Sequence, residues 1–255
     1  MTNREMLETA MRQSAIDMGC DETDYLKNTN VIKPLILGVN ARKYLKEPIT
    51  CNLVSYGNNI VASVTEPVSD IVAQYIDKFE FYHCFETPNM HWLNERLEKL
   101  GQKICFMAEY YLFDVSKKLD IKIPYETRLL EQDDFEDLYL PKWSNALCAD
   151  RKELDVLGIG AYDNDELVGF AACSADCDEM WQIGVDVLPD YRRKGIASYL
   201  TYTLANEIIK RDKVPFYCSA WSNIRSVRNA VKSGFLPAWV EMTAKPADIV
   251  DKMNE

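Results

Sequence analysis

The chain has 255 residues, enough for one large domain or for two smaller ones that each bury a core. Its formal net charge is −11, from 40 acidic and 29 basic side chains, which argues against nucleic acid as the main partner. No apolar run approaches the roughly 20 residues of a membrane helix, and the first residues lack the apolar core of a signal peptide. We therefore expect a cytoplasmic protein with no nucleic-acid or membrane partner.

Cysteine and histidine are scattered along the chain without the spacing of a metal site. Eight cysteines are present, and Cys173 and Cys177, which lie four positions apart, have no matching second pair. His83 and His91 are eight positions apart and have no carboxylate pattern beside them. We predict no metal site and free thiols in a reducing compartment.

Local patterns in the first half predict regular elements but no chemistry. Residues 51–56 and 60–65 flank Gly57-Asn58-Asn59, which is typical of a β-hairpin. Helical spacing and capping signals predict a helix over 2–19 closed by Gly19, a helix that begins at Ser69 as its N-cap, a helix over 89–100 ended by Gly101, and a strand over 103–113. We expect a smaller α/β domain of unknown role over residues 1–124, with 117–124 as its linker.

The second half alternates between strand and helix patterns. The predicted order is strand 127–130, helix 131–148, hairpin strands 157–162 and 167–174, strand 180–187, helix 193–211, strand 216–220, helix 223–233 closed by Gly234, and strand 238–243. The 131–148 helix has a break at Pro141 as an open alternative, and the apolar residues on one of its sides are Phe135, Leu138, Tyr139 and Trp143. The apolar face of the 193–211 helix comprises Ile196, Tyr199, Leu200, Thr203, Leu204 and Ile208. A strand–helix–strand succession implies a right-handed crossover between parallel strands. We therefore expect a second α/β (α+β) domain over residues 125–255, built on a mixed, twisted sheet.

One turn in this half has the features of an anion site. Arg192-x-x-Gly195-x-Ala197 joins the 180–187 strand to the following helix. The free N–H groups of a helix N-terminus and the positive end of the helix dipole favour a bound anion, and Gly195 lets the anion approach the backbone. Between residues 190 and 232 there are nine basic and three acidic side chains. This local excess suits a polyanionic small ligand, although a solvated helix face would also account for part of it.

The turn resembles the acyl-CoA signature of the GNAT N-acetyltransferases, in which a strand precedes Q/R-x-x-G-x-G/A. The resemblance implies the mixed, twisted sheet of that family in the C-terminal half and acetyl-CoA as the cosubstrate. It also implies that the amides of the turn hold the pyrophosphate, and that pantetheine lies between the strands 181–187 and 216–220, which splay apart. The cofactor-binding residues implied here are Ile183, Val185, Val187, Arg192, Arg193, Lys194, Gly195, Ile196, Ala197 and Ser198.

A second segment resembles the family beyond the splayed strand. Asn223-x-x-Ser226 is followed by Lys232-Ser-Gly234-Phe235. The resemblance implies that Ser226 faces CoA and that Asn223 contacts pantetheine, although Asn is equally suited to cap its own helix. Arg228 and Lys232 are candidate partners of the adenosine phosphate, with simple solvation as the equal alternative.

The sequence departs from the family at the catalytic positions. Many members carry a Tyr seven residues after the Asn as the acid that protonates the leaving thiolate, and that position is Ala230. Some members use a Glu on the strand before the signature, at the position of Trp181. Glu179 lies two residues earlier on the same strand face and is the candidate base, through a water molecule. The alternative is that Glu179 belongs to an acidic surface turn.

These features predict an N-acetyltransferase that transfers an acetyl group from acetyl-CoA to a primary amine of a small molecule, by direct attack on the thioester. Acidic residues could favour a cationic acceptor, and the residues concerned are Asp133, Asp134, Asp176, Asp178 and Glu179. The alternative function is a catalytically inactive CoA-binding sensor or interaction protein, in which the fold persists without turnover. A helix–turn–helix binder is disfavoured by the net charge and by the strand that precedes the turn.

Overall fold

The computed structural model describes residues 1–46 and 48–255. In chain order its helices and strands are α1 (Asn3–Met18), β1 (Val31–Pro34), β2 (Cys51–Ser55), β3 (Val61–Val64), α2 (Ser69–Lys78), α3 (Thr87–Glu98), β4 (Gln102–Phe113), β5 (Glu126–Glu131), β6 (Asp155–Asp163), β7 (Glu166–Ser174), β8 (Met180–Val187), α4 (Ile196–Ile209), β9 (Val214–Ser219), α5 (Ile224–Lys232), β10 (Phe235–Pro246) and α6 (Ala247–Lys252). The fold class is mixed α+β, as predicted. Among the described residues, no helix is both long and apolar enough to cross a membrane.

The chain forms two compact units. The 10–110 unit comprises Ala10–Tyr110 and Ala238–Glu255, and the 111–237 unit comprises Met1–Thr9 and Tyr111–Pro237. The division falls inside α1, β4 and β10. The division into a 1–124 and a 125–255 domain stays a prediction.

The 10–110 unit contains strands in the order β1-β3-β2-β10-β4. The β2–β3 pair is the predicted antiparallel hairpin, and Gly57 in its turn has a φ of 98°. Its core is formed by Leu53 on β2, Tyr75 on α2 and Leu93 on α3, all fully buried. The apolar faces predicted for these helices therefore pack on the sheet.

A buried ionic group is part of the same unit. The Arg42 guanidinium is bonded to the carboxylates of Asp17 and Glu241, the latter at 2.6 Å, and all three side chains are buried. Trp239 donates its indole N–H to Glu241 at 2.7 Å. Paired charges of this kind are costly to break, because removal of one partner leaves an uncompensated buried charge.

The 111–237 unit contains the neighbouring strands β9-β8-β7-β6-β5. All pairings from β5 to β8 are antiparallel, and β8 pairs with β9 in parallel, as the crossover through α4 predicts. Helix α4 buries Leu200, Leu204 and Ile208 in one core with strand residues, among them Ile159. The predicted apolar face of this helix is confirmed.

The helix predicted over residues 131–148 is wrong. The segment forms the 3-10 helices Gln132–Leu138 and Pro141–Trp143, and a further 3-10 helix follows at Ala149–Leu154. The Asp134 carboxylate accepts the N–H of Glu131 at 2.9 Å, which ties down the first turn. Pro141 cannot donate a helical hydrogen bond. The packing expectation holds nonetheless, because the apolar residues of this segment bury Phe135 and Trp143 against Phe170.

Smaller differences have local causes. Helix α4 begins at Ile196 and not at Arg193, because Arg193 and Gly195 have φ values of 65° and 84°, outside the helical region. Ser69 is the first residue of α2 and not its N-cap, because Val68 holds the N-cap position. The expected linker 117–124 has no helix or strand, but Ile123 packs against the core of the 111–237 unit. Helix α6 was not predicted from the sequence.

We expect the end of β4 to be essential for the stability of the 111–237 unit. Phe113 is 2% exposed and packs against Phe235 at 5.3 Å between ring centroids, whereas Phe106 on the same strand is 42% exposed. Phe113→Ala should lower the free energy of unfolding by about 3–5 kcal/mol, the usual cost of truncating a buried Phe. Phe106→Ala is the matched control and should cost under about 1 kcal/mol. Urea unfolding followed by fluorescence measures both, and similar losses would contradict the packing described here.

Candidate functional site

The parallel pairing of β8 with β9 stops while both strands continue. The described register joins Met180 to Val214 and ends at the pair Gln182–Phe216. Strand β8 continues to Val187 and β9 to Ser219. On its other edge β8 stays paired with β7 along this whole stretch, up to Val187. A gap therefore opens between β8 and β9, and the main chain of β8 forms one of its walls.

The side chains of β8 alternate between the two faces of the sheet. Ile183, Val185 and Val187 pack in the core under α4. The residues between them, Gly184 and Asp186, therefore face the opposite side. The predicted strand residues thus have packed side chains and a main chain that borders the gap.

The turn after β8 presents its backbone to the same gap. A 3-10 helix, Pro189–Tyr191, leads to Arg192, whose Nε donates to the carbonyl of Val187 at 2.9 Å. Gly195 is the N-cap of α4, and its carbonyl accepts the first helical hydrogen bond, from Tyr199 at 3.0 Å. Its φ of 84° is readily adopted by Gly. The N–H groups at the start of α4 and the positive end of its dipole therefore face the gap.

Two tyrosine side chains contact the turn and hold it in place. The Tyr191 hydroxyl donates to Asp163 at 2.9 Å, and this hydrogen bond raises the pKa of Tyr191 to about 12. The Lys194 Nζ lies 4.7 Å from the centroid of the Tyr191 ring and 3.4 Å from the hydroxyl of Tyr125. Lys194 is therefore held by these two tyrosines beside the turn.

Helix α5 borders the gap on the side of β9. Asn223 caps the helix, because its side chain accepts the N–H of Ser226 at 3.3 Å. The Ser226 hydroxyl lies 2.9 Å from the hydroxyl of Tyr217 on β9. One turn further on, Asn229 accepts from Ser198 on α4 at 3.1 Å. The first turn of α4 is thus joined to the middle of α5 by a side-chain hydrogen bond, and the first turn of α5 is joined to β9.

Together these elements enclose a cleft of about 1260 Å³. Of the predicted cofactor-binding residues, those that line it are Ile183, Val185, Val187, Arg192, Arg193, Gly195, Ile196, Ala197, Ser198, Asn223, Ser226 and Arg228. Lys194 does not line it. Whether these residues bind a cofactor stays a prediction, but the fold brings them together.

Charge is distributed unevenly along the cleft. The cationic side chains that line it are Arg192, Arg193, Arg225, Arg228 and Lys232. Among the described lining residues the single carboxylate is that of Asp186. This polarity suits a ligand with several negative charges at the end that carries the turn.

Asp186 has a structural task on the face opposite α4. Its carboxylate accepts the backbone N–H of Asn145 at 2.8 Å, the Asn145 side chain at 2.7 Å and the backbone N–H of Ala146 at 3.1 Å. Beside it, a Cβ on Gly184 would lie 1.8 Å from the carbonyl oxygen of Asn145. The loop at Asn145 therefore lies directly on β8, and only Gly fits below it.

Ser219, at the end of β9, contributes a buried hydroxyl to the cleft. The residue is 7% exposed, and its Oγ has no hydrogen-bond partner among the described residues. An unsatisfied buried hydroxyl is costly, so a ligand or a water molecule at this position would be stabilising.

Neither the candidate base nor the position of the family's acid lines the cleft. Glu179 is exposed, precedes β8 at the end remote from the turn, and is not a lining residue. Ala230 is fully buried in the core and lines no part of the cleft. Asp134 and Asp176, two of the acids suggested to attract a cationic acceptor, have structural partners instead: Asp134 caps a 3-10 helix and Asp176 pairs with Arg151 at 3.1 Å.

Three residues that line the cleft were not predicted from the sequence, namely Tyr217, Gln182 and Asp186. Asp186 lies in the Val-Asp-Val strand that precedes the signature, and a charged residue between two core positions was the available signal. Tyr217 lies within an apolar run of the sequence, and such a run does not indicate whether a Tyr hydroxyl is buried in a core or reaches a cleft. No cluster of three His, Cys, Asp or Glu side chains that could hold a metal ion occurs within residues 1–46 and 48–255.

The part of the chain that forms the cleft matches a known protein family. Residues 125–235, which include the whole cleft, match the family model described as the acetyltransferase (GNAT) family. Residues 125–235 form a GNAT-family domain. No protein with a curated description matches the chain.

Solved structures with a similar fold include three GNAT-related proteins. A GCN5-related N-acetyltransferase from Kribbella flavida is 12% identical, with 78% of this chain and 87% of that chain covered and a TM-score of 0.48. A GCN5-related N-acetyltransferase-like protein from Streptococcus suis is 18% identical, with 62% and 68% covered and a TM-score of 0.45. A putative acetyltransferase of the GNAT family from Novosphingobium aromaticivorans is 18% identical, with 56% of this chain and 66% of that chain covered and a TM-score of 0.41. The chain thus spans slightly less than two thirds of the last of these proteins.

We expect Asp186 to hold the Asn145 loop on the GNAT domain. In Asp186→Ala the amide of Asn145 loses a charge-assisted hydrogen bond, and its hydrogen exchange should become ~10-fold faster or more. The amide of Leu147, which donates to the carbonyl of Trp143 at 2.9 Å, is an internal control that should change less. Asp165→Ala, at a fully exposed carboxylate, is the control variant. Unchanged exchange at Asn145 in Asp186→Ala, measured by NMR, would show that the carboxylate does not hold the loop.

Proposed function

We propose that the GNAT domain binds acetyl-CoA in the cleft and transfers the acetyl group to the primary amine of a small molecule. The observation that carries the proposal is the early end of the β8–β9 pairing at Gln182–Phe216, which leaves room for an extended ligand beside the main chain of β8. An extended chain with amide groups, such as the pantetheine arm, can use main-chain hydrogen bonds at such an edge.

The two ends of the cleft fit the two ends of this cosubstrate. The N–H groups around Gly195 would receive the pyrophosphate, since backbone donors and the helix dipole both favour an anion there. Arg228 and Lys232 line the cleft on α5 and are available for the adenosine phosphate. The thioester would then lie deeper in the gap, near the unsatisfied hydroxyl of Ser219.

The chemical step follows from this placement. A neutral amine attacks the carbonyl carbon of the thioester, the C–N bond forms, the C–S bond breaks, CoA leaves as the thiolate, and the nitrogen gives up one proton to water. Binding contributes by holding the two reactants in line.

Glu179 remains the proposed base only if it acts through a water molecule, because its exposed side chain lies outside the cleft. If Glu179 acts in this way, Glu179→Gln lowers kcat by ~10²-fold or more.

A second candidate function is a CoA-binding protein without turnover. Ala230 offers no proton, and Glu179 lies outside the cleft; both observations favour this alternative. Acetyl-CoA turnover against a panel of small amines separates the two functions. Acetyl transfer to any of them supports the enzyme, and tight CoA binding without transfer to any of them supports the binding protein.

We expect the backbone of the turn to matter more for CoA binding than the charge of Lys194. Gly195→Val places a β-branched residue at a φ of 84°, so it should distort the turn and weaken CoA binding ~10-fold or more. Lys194→Ala is the matched control, because Lys194 does not line the cleft, and it should change the dissociation constant less than about threefold. Calorimetric titration with CoA measures both. Equal small effects in folded proteins would exclude binding of the pyrophosphate by the backbone.

A further inference from the structure

Tyr217 brings a phenol hydroxyl to the wall of the cleft. Its ring is 5% exposed and packs in the core against Tyr111 and Phe235, at centroid distances of 6.5 and 6.0 Å. The same core contains Ala230. At the edge of the core the Tyr217 hydroxyl lies 2.9 Å from the hydroxyl of Ser226 on α5. The phenol is therefore fixed by packing, while its hydroxyl borders the cleft.

Acyl transfer from a thioester creates a need for a proton donor in the cleft. The CoA sulfur leaves as a thiolate, and a positioned acid lowers the barrier for its departure. Two other polar lining groups are engaged elsewhere: Tyr191 donates to Asp163 beside the turn, and Asp186 accepts three N–H groups from the Asn145 loop. Tyr217 lies on β9, the strand that borders the gap, and lines the cleft.

We propose that Tyr217, from β9, donates the proton that the leaving CoA thiolate takes up, with Ser226 as its route to solvent. The inference rests on the proposed function and adds a proton donor to it. As the C–S bond breaks, the phenol O–H proton passes to the sulfur and leaves a phenolate. The hydroxyl of Ser226, which is half-buried and lines the cleft, returns a proton from water to Tyr217. The proton lost by the amine goes to water, so charge and protons balance over the cycle.

The surroundings of Tyr217 keep the donor protonated. Burial raises its pKa, and hydrogen bonds with Ser226 and Asn229 offset part of that rise. The titratable groups that act on it are Cys218 on the same strand and Asp186 on β8, and both raise the pKa further. A phenol of this kind carries its proton throughout the neutral pH range, as a general acid must.

The test is the thiol pKa of CoA bound to the full-length protein, followed by the ultraviolet absorbance of the thiolate. A phenol that donates to the sulfur stabilises the thiolate and lowers this pKa. Tyr217→Phe should therefore raise the thiol pKa of bound CoA by about one unit, the size expected for the loss of one hydrogen bond to a charged group. Tyr202→Phe is the matched control. Its ring also packs beside this core, its hydroxyl bonds to the carbonyl of Lys117 away from the cleft, and it should leave the thiol pKa unchanged.

A second variant keeps the shape and packing of the residue. Incorporation of 3,5-difluorotyrosine at position 217 makes the phenol a stronger donor, so the thiol pKa of bound CoA should fall below that of the parent. If CoA binds and its thiol pKa is the same in the parent, in Tyr217→Phe and in the fluorinated protein, the inference is overturned and the proposed function stands. If the parent protein binds no CoA, both are overturned.

Discussion

The site depends on one constraint, which is that the pairing of β8 with β9 ends at Gln182 and Phe216. Strand β8 stays paired with β7 from Gln182 to Val187, so the divergence leaves the other edge of β8 open. Main-chain N–H and C=O groups at an open edge require partners, whether from water, from another strand or from a ligand. The cleft is therefore a place where the sheet leaves hydrogen-bonding capacity unused between two strands.

Strand β8 serves the site on both of its faces because its side chains alternate. Val185 and Val187 lie under α4, so the strand leads directly into the turn at Gly195, where backbone donors collect. Asp186 lies on the other face and holds the Asn145 loop against Gly184. The α4 face thus carries the turn with its backbone donors, and the opposite face carries the Asn145 loop. Strand β8 therefore connects the turn at Gly195 with the Asn145 loop.

The sequence was sufficient wherever a short stretch determines its own structure. The turn from Arg192 to Ala197, the cap at Asn223 and the apolar face of α4 are set by neighbours along the chain, and each was predicted. The 131–148 helix was wrong because apolar spacing reports which residues are buried, and Phe135 and Trp143 are buried without an α-helix between them. The roles of Asp186 and Tyr217 depend on partners about 40 and nine positions away along the chain, and no local pattern specifies such pairs.

The central claim is that the gap between β8 and β9 holds the cosubstrate, and a crystal structure with bound CoA tests it most directly. We predict pantetheine amides in hydrogen bonds with the main chain of β8 between Ile183 and Val187, and the pyrophosphate on the amides of the turn at Gly195. CoA bound at another surface, or strands that close the gap by pairing beyond Gln182 and Phe216, would contradict the account.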